Sequence, residues 1–298
     1  MPAKIRKHKA MNTFFNGLDT RKEMIRMYYQ KLDKLPISYE QKMIETTFGD
    51  TNLVITGPEG KPPLVLLHDT NSCAPLALES MVELTYHFRV YAIDVLGQPN
   101  LSEELRLNMK DNTYGKWMYE ILSRFGLQNT SLVGISRGGF IALKTLIFDE
   151  KRIARTFLIT PEGIVNGNPL QLFMKVILPL KMYRATKSTK YLNWFLEEFY
   201  TEENEFSKAF LSNVYLHYKI DLSKAPLIRK KEALQIKTPV HIIAAEKDLL
   251  FPGKKLIKRA NTIFPLLSEV VLLRNSKHIL SKQDNRKTTE LIRNSIWL

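Results

Sequence analysis

Nine residues, 132–140 (LVGISRGGF), constrain this chain more than any other stretch. The apolar run Thr130-Ser131-Leu132-Val133 leads into Gly134-Ile135-Ser136-Arg137-Gly138-Gly139, and residues 140–147 then read as a buried helix. Small residues two before and two after Ser136 permit a strand-to-helix turn so sharp that backbone meets backbone. Such a turn leaves the serine hydroxyl at the edge of a sheet. The bare G-x-S-x-G pattern also occurs in ordinary turns. A strand before it and a helix after it are what favour a reactive serine.

The order of elements predicts the sheet around it. Residues 21–32 carry Met24, Ile25, Met27, Tyr28 and Leu32 at helical spacing. Residues 43–48 and 52–56 flank Gly49-Asp50 and read as a hairpin, and 63–67 form a fully apolar strand of the kind buried in a parallel sheet. A helix (77–86), a strand (88–93), a helix (114–125), the strand and helix around Ser136, and a strand (155–159) then alternate. Alternation of this kind specifies a mostly parallel sheet with helices on both faces. It stops between 161 and 237, where no strand is evident but apolar groups abound, among them Leu172, Phe173, Val176, Tyr183, Trp194, Phe195, Phe210 and Tyr215. It resumes with a strand (239–245), a helix (254–263), a strand (269–273) and a last helix (282–297). The expected organisation is an N-terminal basic tail and helix (1–34), an α/β core (35–160 and 238–298) and an inserted helical cap (161–237).

Composition narrows the setting. The single cysteine, Cys73, excludes an internal disulfide and a cysteine-based zinc site. No apolar run approaches the ~20 residues that cross a bilayer, and the N-terminus lacks the apolar segment of a signal peptide, so a cytoplasmic protein without membrane insertion is expected. The net charge of +14, from 44 basic and 30 acidic side chains, raises the question of nucleic acid. The basic residues are dispersed in small groups (Lys4, Arg6, Lys7 and Lys9; Arg229-Lys230-Lys231; Lys254, Lys255, Lys258 and Arg259), none within a nucleic-acid motif. They read as solvated faces, and no nucleic-acid partner is expected.

A serine hydroxyl needs a base to act as a nucleophile, and the base needs a carboxylate to hold its tautomer. Asp248 falls just past the strand 239–245, and His278 follows the last strand in the same way, both at the sheet edge where functional groups gather. The chain order serine, acid, histidine is one in which such a triad is known to occur. Asp248 also fits as a turn cap, with Glu246 and Glu162 as rival acids. His278 also fits as a plain loop histidine, but His8, His68, His87, His217 and His241 are worse placed for a base. Two backbone N–H groups are needed for the oxyanion, and they are expected from Arg137 and from Thr70 in the loop His68-Asp69-Thr70-Asn71-Ser72. Asp69, Asn71, Arg137, Phe173 and Arg184 are candidates to touch substrate.

These motifs resemble the α/β-hydrolases of the serine esterase type over about residues 35–298. The resemblance rests on LVLLHDTNS (64–72), AIDVLGQPNLS (92–102), GISRGG, AAEKDLLFP and SKHIL. Asp94, Gly97, Asn100 and Ser102, with the leader Glu45-Thr46-Thr47-Phe48-Gly49, are most similar to the bacterial carboxylesterases related to naproxen esterase. The resemblance implies an α/β-hydrolase fold and a reaction free of metal and cofactor, with acylation of Ser136 and then hydrolysis by water activated through His278. Its substrate would be a small-molecule ester or related acyl compound, and the protein a monomer or homodimer. Two departures stand out. Asp69 replaces the usual glycine after His68, and Arg137 stands where Met, Leu or Gln is common; their opposite charges suggest that they pair. Besides ester hydrolysis, the same three residues fit carbon–carbon, lactone or amide cleavage, with Arg137 and Arg184 holding a substrate carboxylate. A non-catalytic binding module is the remaining reading.

Overall fold

The computed structural model describes residues 13–297, so the basic group Lys4, Arg6, Lys7 and Lys9 lies outside it. Helix α1 (Leu18–Leu32) precedes β1 (Tyr39–Thr46) and β2 (Gly49–Thr56). Then come β3 (Pro63–Leu67), α2 (Ala74–Ser80), β4 (Arg89–Ile93), α3 (Thr113–Arg124), β5 (Thr130–Ile135), α4 (Arg137–Phe148) and β6 (Ile153–Ile159). Helices alone follow: α5 (Pro169–Leu172), a π-helical turn (Phe173–Ile177), α6 (Leu178–Thr186), α7 (Thr189–Phe199), α8 (Glu205–His217) and α9 (Lys230–Ala233). The last elements are β7 (Val240–Ala245), α10 (Gly253–Ile263), β8 (Leu267–Leu273) and α11 (Lys282–Trp297).

The strands form one sheet in the order β1-β2-β4-β3-β5-β6-β7-β8. β1 and β2 pair antiparallel and β2 is antiparallel to β4, while every pairing from β4 to β8 is parallel. Successive side chains of a strand point to opposite faces, and here both faces are buried. Leu64, Leu66, Val133, Phe157, Ile159 and Ile243 therefore join α1, α2, α7, α8 and α11 in one apolar core. Their neighbours Val65, Leu67, Leu132, Leu158 and Ile242 join α3, α4 and α10 in the other. No helix of the described residues is long and apolar enough to cross a membrane.

Two expected elements differ in detail. The hairpin turns at Thr47-Phe48 rather than Gly49-Asp50, because the Thr46 hydroxyl closes the turn by donating to the Gly49 carbonyl while accepting from the Phe48 N–H. The expected helix 77–86 is two pieces, α2 and a 3₁₀ turn over Val82–Tyr86. Ser80 and Thr85 each bond back to a carbonyl one turn earlier, the competition that shortens helices.

Candidate active site

The elbow is built by contact between backbones. A Cβ on Gly134 would lie 2.5 Å from the backbone of Gly138, and one on Gly138 would lie 2.3 Å from the Leu67 carbonyl oxygen. Neither is possible for a real side chain, so both positions require glycine. Ser136 itself sits at φ 51°, ψ −109°, a conformation that costs of order 1–3 kcal/mol and is held by its flanking strand and helix. Its N–H is bonded to the Ile159 carbonyl at 2.9 Å, tying the turn to β6.

His278 Nε2 lies 3.0 Å from Ser136 Oγ, and His278 Nδ1 lies 2.8 Å from Asp248 Oδ2. A carboxylate only accepts, so Nδ1 carries the proton and Nε2 presents its lone pair to the serine. The other Asp248 oxygen accepts from the N–H groups of Leu250 and Phe251, at 2.8 and 3.1 Å. Asp248 thus caps its turn and orients the histidine at once. Burial pulls the His278 pKa down, but the Asp248 carboxylate, helped by the charges of Asp69 and Glu162, more than offsets this and leaves it above the ordinary 6.5. The rival acids are spent elsewhere. Glu246 meets Lys254 at 3.2 Å, and Glu162 holds the Arg137 guanidinium and accepts from Ala225 N–H.

Arg137 and the loop after β3 flank Ser136. The Arg137 N–H opens α4 and so has no intrahelical acceptor. In the loop, Asn71 N–H donates to Gln98 Oε1 at 2.7 Å, whereas Thr70 N–H makes no hydrogen bond among the described residues. His68 shapes this loop. Its Nδ1 bonds to the Asp69 carbonyl oxygen at 2.7 Å and its Nε2 accepts from Val95 N–H at 2.9 Å. Burial drives its pKa down to about 4, which keeps it neutral.

The expected pairing of Asp69 with Arg137 is not formed. The Arg137 guanidinium, buried under the elbow, bonds to Glu162, to Asp221 Oδ2 at 3.0 Å and to the Ser223 carbonyl at 2.7 Å. Two buried carboxylates outcompete Asp69, whose side chain bonds instead to Ser72. Asn71, a candidate for substrate contact, is likewise committed. Its Oδ1 accepts from Asp221 N–H at 2.9 Å and its Nδ2 donates to the Asp221 carbonyl at 3.3 Å. Asp221, which carries no motif signal, therefore touches both flanks of the expected oxyanion site. Its own carboxyl is pushed up by burial and pulled down further by Arg137 and Ser223, so it stays ionised.

The spacing of Asp94, Gly97, Asn100 and Ser102 has a structural explanation. Asp94 accepts from Ala74 N–H and Asn52 Nδ2, both at 2.8 Å, and from Leu101 N–H at 3.3 Å. Ser102 Oγ donates to the Asp94 carbonyl at 2.7 Å, and Asn100 Nδ2 reaches the Val95 carbonyl at 2.9 Å and His68 Nε2 at 3.2 Å. The motif is a girdle that holds the loop carrying His68.

A cavity of about 290 Å³ opens beside His278, lined by Asp69, Ser72, Ile135, Ile159, Tyr200 and Leu280 among others. That size, at the low end for small-molecule sites, suits a small ligand. Phe173 and Arg184 do not line it, and both are exposed on the helices between β6 and β7. Those helices nonetheless brace the site. Ile279 N–H bonds to the Phe199 carbonyl at 2.9 Å, and Thr201 Oγ1 donates to the Ile279 carbonyl at 2.8 Å while accepting from Lys277 N–H at 2.8 Å.

A family model described as the alpha/beta hydrolase fold matches residues 62–187. The chain is 22% identical over 274 residues to the uncharacterised carboxylesterase nap of Bacillus subtilis, covering 89% of each chain. It is 23% identical over 274 residues to carboxylesterase YbfK of the same species, covering 90% of this chain and 91% of that one. It superposes on the crystal structure of naproxen esterase (carboxylesterase NP) from Bacillus subtilis with a TM-score of 0.81 and 21% identity, over 94% of this chain and 99% of that one. The sheet order, the matched family model and these likenesses show an α/β-hydrolase fold similar to that of the bacterial carboxylesterases.

Proposed function

We propose that the protein is a serine hydrolase that cleaves small carboxylic esters through an acyl-enzyme on Ser136. The observation that carries this reading is the unbroken hydrogen-bond chain from Asp248 through His278 to Ser136, at 2.8 and 3.0 Å. Ser136 Oγ attacks the ester carbonyl carbon as its proton passes to His278 Nε2. The oxyanion is received by the N–H groups of Arg137 and Thr70. As the tetrahedral species collapses, the imidazolium gives its proton to the departing alcohol. A water then loses a proton to Nε2 and attacks the acyl carbon, which releases the acid and restores Ser136. Residues 161–237 act as a cap, a role supported by the hold of Asp221 and Thr201 on the loops of the site.

Labelling with a fluorophosphonate should modify Ser136, and Ser136→Ala should lower p-nitrophenyl ester turnover by ~10⁶-fold. Labelling elsewhere, or full turnover by the alanine variant, would refute the assignment. The base works only when neutral, and its pKa is raised, so kcat/KM should fall as pH drops through a value above 6.5. Asp248→Asn should cut turnover and move that limb to lower pH.

A further inference from the structure

Asp69 lines the cavity beside His278. Its side chain bonds to the Ser72 hydroxyl, and it forms no ion pair among the described residues. Arg137, the cation on the elbow, is turned away to Glu162 and Asp221. Two of the four glutamates at the cavity rim differ from Asp69 in this respect. Glu79 is paired with Lys31 at 2.5 Å and Glu83 with Arg286 at 3.3 Å. Burial pushes the Asp69 carboxyl above its ordinary range, and the bond from Ser72 and the nearness of His278 only partly offset this. The lone carboxyl also faces chemistry that it hinders, since an anion near the reacting carbonyl opposes the growing oxyanion. A cation arriving with the substrate would remove both costs, and Tyr200, an aromatic residue of the kind that attracts cations, lines the same cavity.

We infer that Asp69 determines specificity, making this cavity a site for acyl substrates that carry a protonated amine. This rests on Ser136 being the nucleophile of an acyl-transfer reaction. In that pairing the ammonium donates to the Asp69 carboxylate while the ester carbonyl sits at Ser136, so the substrate supplies the counter-ion that the protein withholds.

The test compares two p-nitrophenyl esters of nearly equal shape, the 6-aminohexanoate and the heptanoate, at low ionic strength. The wild-type protein should favour the ammonium ester in kcat/KM by about tenfold or more. Asp69→Asn and Asp69→Gly should each bring the ratio near one, and the ratio rather than the absolute rate is the readout. A wild-type ratio near one, or a preference kept by both variants, would overturn the inference while leaving Ser136 labelling, and with it the esterase reading, intact. If Ser136 is not labelled and neither ester turns over, the esterase reading falls. The cation site is then decided by calorimetry on Ser136→Ala. Hexylammonium binding tighter than hexanol, with the difference lost on adding Asp69→Asn, supports it, and equal binding overturns it.

Discussion

Two buried aspartates flank the site and are held in opposite ways. Asp94 has neutral donors, the N–H groups of Ala74 and Leu101, the amide of Asn52 and the hydroxyl of Tyr28, and burial lifts its carboxyl to about 6. Asp221 meets the guanidinium of Arg137, which outweighs burial and leaves its pKa below the ordinary range. Neutral hydrogen bonds position a buried acid without fully offsetting its desolvation, whereas a buried cation does both. The girdle around Asp94 therefore tolerates loss of charge, and the cluster around Arg137 does not.

Substitutions can break this contrast. Arg137→Met should have the largest effect, since Glu162 and Asp221 are left buried without their cation. A loss of ~3–5 kcal/mol is expected in urea unfolding at pH 7. A loss under ~1 kcal/mol would mean that the cluster is not a charge pair in energetic terms. Asp221→Asn removes one carboxylate but keeps Glu162 on the arginine and the backbone bonds to Asn71, so ~1–3 kcal/mol is expected. Asp94→Asn should cost least at pH 7, about 1 kcal/mol, from one donor facing the Asn52 amide.

The pH dependence sharpens the same comparison. Asp94 has a folded pKa raised above its unfolded value, so its contribution is complete below the ordinary 3.8 and is lost as pH rises through about 6. The deficit of Asp94→Asn should therefore be larger at pH 4.5 than at pH 7.5. Asp221 has a lowered pKa, so its contribution is present above 3.8 and is lost only as pH falls below that value. The Asp221→Asn deficit should stay flat between pH 4.5 and 7.5. Equal slopes for the two variants would remove the distinction.

Much of the hydrogen-bonded line from Asp248 to Ser136 was legible because its residues obey local rules. Gly134 and Gly138 announce the elbow through a steric demand that the structure bears out in backbone contacts. Asp248 and His278 could be found because each follows a strand that apolar runs betray. The partners of Arg137 could not be found. Opposite charges at 69 and 137 suggested a pair, but three carboxylates competed for one guanidinium, and two came with other loops. Asp221 lies after α8 in a stretch with no periodicity and no turn signature. Its role depends on where the helices between β6 and β7 return the chain, which is a tertiary fact.

The separation of Ser136 from His278 by 142 positions, with Asp221 between them, sets an order on the life of the molecule. During synthesis the elbow leaves the ribosome long before His278 exists, and it gains firm flanks only when the segment around Asp221 has come into place. The line from Asp248 through His278 to Ser136 can therefore form only when nearly the whole chain has been made.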